Sequence, residues 1–118
     1  MEVPLGIVAR VREACAHLPE AYEEHPHYGV RWRIRGHTLA DLRTRDGISG
    51  VTFHCRAEAP ALLATGHPFY PGWGGGLILM VLTDDDETDW QEVSELLTES
   101  YCLLAPKKLI ALLGLPEF

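Results

Sequence analysis

The feature that most limits how this chain can fold is a change of hydrophobic period near residue 30. Before it, Ile7, Val8, Val11, Ala14, Cys15 and Leu18 recur at helical spacing while Arg10, Arg12 and Glu13 face elsewhere. That pattern predicts an amphipathic helix ending before Pro19. After it, Val30, Trp32 and Ile34 alternate with Arg31, Arg33 and Arg35, as in a half-buried antiparallel strand. The stretch between, PEAYEEHPHYG, has two prolines and no period and reads as a loop.

Period two then persists. Gly36-His37 predicts a tight turn into a second strand around Thr38 to Arg43, and Arg45-Asp46-Gly47 predicts another before a third strand at Val51 to Cys55. Three strands so closely spaced make a meander. Ala59 to Ala64, opened by Glu58 and Pro60 and closed by Gly66, suits a short helix. Residues 66–76 form an irregular loop rich in glycine and aromatics. Leu77 to Leu82 is apolar at every position, which predicts a central strand or one buried on both faces.

Asp84, Asp85 and Asp86 break that strand, and Thr88 with Gln91 reads as a capping box. Trp90, Val93, Leu96, Leu97, Ser100 and Tyr101 mark the apolar face of the helix that follows. Lys107 to Leu113 resumes after Pro106 as a terminal helix stopped by Gly114 and Pro116. The order is α-β-β-β-α-β-α-α. It predicts one α+β domain over residues 1–118, an antiparallel sheet with helices packed on one side. Its expected core is Trp32, Trp90, Val11, Ile34, Phe53, Leu79, Val81, Val93 and Leu97.

Several function classes fall away on composition. Apolar residues at 47% and charged residues at 23% suit a folded globule. No segment approaches the roughly 18 apolar residues of a membrane span, so no membrane partner is expected. The start, MEVPLGIVARVREA, lacks the basic and apolar parts of a secretory signal, and a cytoplasmic location is expected. Cys15, Cys55 and Cys102 are 40 and 47 residues apart. That spacing suits neither a disulfide framework nor a cysteine zinc site, and they read as small core residues.

The net charge of −7 opposes non-specific binding to nucleic acid, but the charges are unevenly placed. Residues 31–56 hold six arginines against Asp41 and Asp46, whereas residues 57–106 hold nine acids and no Lys or Arg. Period two sets Arg31, Arg33 and Arg35 on one sheet face, roughly 7 Å apart, about one phosphate spacing. Arg43, Arg45 and Arg56 extend the set. Guanidinium forks suit phosphate or carboxylate. The competing reading is a solvated face paired with the protein's own acids.

Other constellations offer less. Six histidines include His25 and His27 around Pro26, with no metal-site spacing. The loop from His67 to Gly76 lacks the Lys-Ser/Thr of a phosphate-binding loop. Its Phe69, Tyr70 and Trp73 would make either a ligand platform or a packed plug. Cys55 beside His54 points to the opposite strand face, so the two cannot act as a nucleophile pair. The three consecutive aspartates read as a turn and helix cap. No catalytic residue, metal or cofactor is expected.

Several segments together are familiar: Leu18-Pro19-Glu20-Ala21, Trp32-Arg-Ile-Arg-Gly36 with Leu39, and Val51-Thr-Phe-His-Cys55. They continue with Phe69-Tyr-Pro-Gly-Trp73, Glu99-Ser-Tyr101 and Ala105-Pro-Lys-Lys-Leu109. In this order the chain resembles the MmcQ/YjbR-like family of small bacterial proteins. The resemblance implies an α+β fold like the frataxin-like and secretion-chaperone-like proteins, and a DNA-binding role inferred from a double-wing likeness. It supplies no catalytic residues. His54-Cys-Arg-Ala-Glu58 stands where that family usually has a Lys-Cys-Asp-like stretch.

The expected function is therefore non-enzymatic binding. DNA would be held weakly through phosphates by Arg31, Arg33, Arg35, Arg43 and Arg45, assisted by Lys107 and Lys108. The alternative is a protein-interaction or small-molecule-binding module that uses loop 67–76, with Phe69, Tyr70 and Trp73; a protein partner or a homodimer is the other expected association.

Overall fold

The computed structural model describes residues 2–56, 59–72 and 76–115. The elements in chain order are α1 (Leu5–Cys15), β1 (Tyr22–Glu24), β2 (Gly29–Ile34), β3 (His37–Arg45) and β4 (Ile48–His54). They continue as α2 (Ala59–Thr65), β5 (Phe69–Pro71), β6 (Leu77–Leu82), α3 (Trp90–Leu104) and α4 (Lys107–Ala111). The strands form one antiparallel sheet in the order β1-β2-β3-β4-β6-β5. This is the expected α+β order with two three-residue strands added at the edges. β1 arises within the stretch read as a loop, because Tyr22 to Glu24 pair with Arg33 to Arg31.

The meander turns explain themselves. Arg35-Gly36 and Asp46-Gly47 each hold two successive positive φ angles, 50° and 80°, then 53° and 78°. Two-residue turns of that kind match the right-handed twist of the strands they join, and glycine takes such angles without steric cost. Arg35 is therefore a turn residue and not the end of the strand row.

One side of the sheet carries the core. Val30, Trp32 and Ile34 of β2, Leu42 of β3 and Val51 and Phe53 of β4 point inward with Ile78, Met80 and Leu82 of β6. They meet Val11 of α1, Val93 and Leu97 of α3 and Leu109 of α4, while Leu62 and Leu63 of α2 pack at the margin. Each helix turns its apolar side to this one cluster. Among the described residues the opposite sheet face has no helix over it. No helix among these residues is long and apolar enough to cross a membrane.

Two expected core positions fall on the other side. Leu79 and Val81 are half-buried on the open face, and their neighbours Ile78, Met80 and Leu82 enter the core. A strand apolar at every position does not state its phase; the layer of helices on a single side decides it. Trp90 is also only half-buried, at the start of α3 beneath the Arg10 guanidinium, 5.5 Å from its ring centroid. The cap differs too. Asp89 accepts the Glu92 N–H at 3.1 Å as the α3 N-cap, and Thr88 instead accepts the Thr83 N–H at 2.7 Å.

A register shift between Trp32 and Arg33 leaves Leu39 as an extra residue on β3, so Leu39 and Ala40 are both buried. α3 is tied to this point. The Ser100 hydroxyl, with no solvent exposure, donates to Leu39 O at 2.7 Å and accepts from His54 N at 2.9 Å. The next residue, Tyr101, donates its hydroxyl to Pro19 O at 2.8 Å.

Trp32→Ala should therefore cost about 3–5 kcal/mol of unfolding free energy, as for a fully buried ring. Trp90→Ala should cost only about 1–2 kcal/mol, since less of that ring leaves water on folding. Ser100→Ala, which strands a carbonyl and an N–H in the interior, should cost about 1–3 kcal/mol. Denaturant unfolding of the three variants checks this ranking, and equal losses for both tryptophans would contradict it.

Candidate binding face of the sheet

The open face is read across the strands from the register. β1 contributes Tyr22 and Glu24, opposite Arg33 and Arg31 of β2. β3 contributes Asp41, Arg43 and Arg45, with Asp41 opposite Arg31. β4 follows with Ile48, Gly50 and Thr52, then β6 with Val81 and Leu79, and β5 with Tyr70 opposite Leu79. The half nearer β1 is charged and the half nearer β5 is apolar.

Of the predicted arginine triple, Arg31 and Arg33 share this face and Arg35 does not. Its position in the turn sends it to Glu20, where Nε and Nη2 donate to the two carboxylate oxygens at 2.9 and 3.2 Å. Lys108 also bears on Glu20, and it belongs to α4, whose Leu109 enters the core from the helix side. Lys107 and Lys108 therefore do not extend the arginine face. Arg43 and Arg45 do lie on it, and Arg56 follows the end of β4.

The guanidinium groups on the face are largely occupied. Arg31 Nε donates to Glu24 Oε1 at 2.6 Å, and Arg33 Nη1 donates to the same oxygen at 3.3 Å. Arg33 Nη2 also donates to Gly36 O, while its buried Nε has no partner. Arg43 grips Asp41 through Nε and Nη2 at 3.3 and 3.0 Å. Arg45 has no ion-pair partner among the described residues. Four arginines thus face three carboxylates, Glu24, Asp41 and Asp46. Hydrogen bonding from Arg31, and secondarily from Arg33, holds the Glu24 carboxyl below its ordinary range. Arg35 does the same to Glu20, and Arg12 to Glu23.

Where the two halves meet lies a groove of about 510 Å³, bounded by Arg43, Arg45, Ile48, Gly50, Leu79 and Val81, with Tyr28 at one wall. Arg43 stands opposite Gly29 on one side and Gly50 on the other. Neither neighbour raises a side chain beside it, so Arg43 lies flat and its guanidinium carbon sits 3.9 Å from the Tyr28 ring centroid, a cation–π arrangement. Leu79 leans across Gly50, its Cγ and Cδ1 3.3 Å from where a Cβ would stand.

The aromatic loop does not assemble a platform from its predicted rings. Phe69 is buried against the core, and Tyr70 faces outward with its hydroxyl 2.8 Å from His67 Nδ1. Successive strand residues point to opposite faces; Trp73 lies outside the described residues. A larger hollow of about 730 Å³ runs along α3, with His17, His54, Arg56, Glu95, Thr98 and Cys102 among its lining. In it His17 Nε2 pairs with the Thr98 hydroxyl at 2.9 Å.

The three cysteines are free: Cys15 and Cys55 are buried and Cys102 is half-buried. Burial pushes the Cys15 thiol up to about 12. No group of three or more His, Cys, Asp or Glu among the described residues is placed to hold a metal ion. Asp85 accepts from the Thr83 hydroxyl and the Glu87 N–H at 2.7 and 2.9 Å, a turn role.

Sequence reasoning missed Glu24, Tyr28 and Gly50. The signal for Glu24 was present, since Tyr22-Glu23-Glu24 carries acids just before an arginine strand. The pairing of β1 with β2 was needed to use it.

These features define a class, the small α+β domain with one helical layer and an open, partly charge-matched sheet face. The sequence profile of the YjbR family matches residues 16–103, and the chain belongs to that family. The matched stretch runs from the end of α1 almost to the end of α3, so it includes the whole open face. Comparison with curated proteins and with solved structures found no match.

The depressed carboxyls give a signed pH expectation. Glu20, Glu23 and Glu24 each titrate below their ordinary 4.5 in the folded state. Their pairing therefore favours folding above that value and is lost as pH falls through the lower folded values. Thermal melts should show a plateau at neutral pH and a decline on the acid side. In Glu24→Gln the acid decline should be shallower. An identical acid limb in variant and parent would mean that the Arg31 and Arg33 pairing adds nothing measurable.

Proposed function

We propose that the chain is a non-enzymatic binding protein that engages a protein partner across the open face of its sheet. The observation that carries this reading is the face itself, with no helix over it among the described residues and divided into a charge-matched half and an apolar half. Protein surfaces meet such mixtures well, because apolar contact supplies affinity while guanidinium groups supply orientation and selectivity. A phosphate backbone offers nothing to Ile48, Leu79 and Val81. It would also have to displace Glu24 and Asp41 from Arg31, Arg33 and Arg43, whose hydrogen bonds run from 2.6 to 3.3 Å.

Nucleic acid is the second reading, and one observation favours it: four guanidinium groups share one face and Arg45 has no ion-pair partner among the described residues. DNA held there would be bound through phosphates, without sequence preference and with a steep dependence on salt.

Fluorescence anisotropy with short single-stranded and duplex DNA at low salt separates the two. The parent is compared with a variant carrying Arg31→Gln, Arg33→Gln and Arg45→Gln. The expected outcome is no saturable binding by either protein. Saturable binding by the parent that weakens steeply with salt and disappears in the variant would put nucleic acid in the place of the protein partner.

A further inference from the structure

Resting on the protein-partner reading, we infer that the groove over Gly50 is the recognition pocket, and that it takes an apolar side chain flanked by carboxylates on a short segment of the partner. Gly50 lies at the middle of the open face, on a strand paired on both sides. Its cross-strand neighbours are Arg43 and Val81, and its neighbours two positions away along the strand are Ile48 and Thr52. A glycine inside a central strand gives up packing and backbone entropy, and such positions mark the close approach of a ligand or another chain. Here the missing side chain lets Leu79 lean over the strand, and the groove runs beside it between an aliphatic wall and a cationic one.

The aliphatic wall is Leu79 and Val81, extended by Ile48, which is 59% exposed. Covering these residues removes apolar area from water and favours an apolar guest. The hollow of about 510 Å³ falls within the usual range for ligand sites, roughly 300–1,000 Å³. The opposite wall is Arg43, pinned on Tyr28, and Arg45, with Asp46 beside them on the lining and making no ion pair with Arg45. Arg43 spends Nε and Nη2 on Asp41, and Arg45 is without an ion-pair partner among the described residues. A partner that covered Arg45 without a carboxylate would desolvate an unpaired charge, whereas an Asp or Glu beside the apolar guest would make a charge-assisted pair. The surface of α3 repels such a segment: the nine acids of residues 57–106 have no Lys or Arg among them, and α3 carries Glu92, Glu95 and Glu99. An acidic apolar segment is therefore attracted at this face and repelled along α3.

A randomised peptide display library panned on the intact chain tests the inference, with individual enriched peptides then titrated against variants. Ile48→Lys changes an exposed residue and should leave the fold intact, as circular dichroism would verify. Enriched peptides should carry a large aliphatic or aromatic residue with Asp or Glu within two positions. Their affinity should fall by about ten-fold or more in Ile48→Lys, on the scale of losing one buried aliphatic contact. Panning on Arg45→Glu should shift the enriched flanks from acidic to basic.

Peptides without an apolar residue, or flanks unchanged by Arg45→Glu, would overturn the inference. Peptides that lose affinity in Arg31→Gln/Arg33→Gln but not in Ile48→Lys would overturn the groove while leaving the open-face reading standing. Peptides insensitive to every change on the face, or no enrichment at all, would overturn both. DNA that bound the parent and was lost in Ile48→Lys would assign the groove to nucleic acid and overturn the inference likewise.

Discussion

Where α3 meets the sheet, the Ser100 hydroxyl holds two strands at once, donating to Leu39 O and accepting from His54 N with no exposure to solvent. Such a contact is stringent because either main-chain group would be costly if left unpaired in the interior. It fixes the depth and rotation of α3 against the shifted register of β3. Tyr101 then reaches Pro19 O and sets the end of α1 against the same helix. With α1 and α3 held on this side, the described residues include no further long helix to lay on the other. The open face follows from that commitment.

The charges are then distributed by local geometry more than by totals. The arginines of β2, β3 and the turn between them draw their partners from Glu20, Glu24 and Asp41, between two and 15 residues away in sequence. From the long acidic segment beyond residue 57, Asp84 stands 3.6 Å from Arg10 of α1. These are exposed or half-exposed pairs, and pairs of that kind add little stability. Their effect is on recognition. They lower the net positive charge of the face without removing its hydrogen-bonding groups, so that a ligand must be matched in shape and in apolar contact and not in charge alone.

The neighbourhood of Arg43 shows how register builds a surface. Gly29 and Gly50 flank it across the two ladders, and Tyr28 precedes Gly29 at the start of β2. Substituting either glycine would crowd something specific: a Cβ at Gly29 would run into Leu42 O, and one at Gly50 would press on Leu79 at 3.3 Å. The flat Arg43 on Tyr28, and the hollow beside it, depend on both positions lacking side chains.

The sequence by itself determined the elements whose signals are local. The change of period fixed α1 and the meander, Asp46-Gly47 fixed a turn whose positive φ angles suit glycine, and the inward phase of Val30, Trp32 and Ile34 was legible in the alternation. The presence of Arg31, Arg33, Arg43 and Arg45 on one face was legible for the same reason. The tertiary structure decided what required knowing a neighbour. The strand Leu77 to Leu82 is apolar throughout, so only the one-sided helix layer could turn Ile78 inward and Leu79 outward. Arg35 left the row because it sits in a turn. Glu24 became the clamp on two arginines because a three-residue edge strand paired there, an interaction too short to leave a period. Gly50 became a groove through what stands across from it. Periodicity reports how a residue faces its own segment; pairing and packing, which join residues distant in sequence, determine what that face meets.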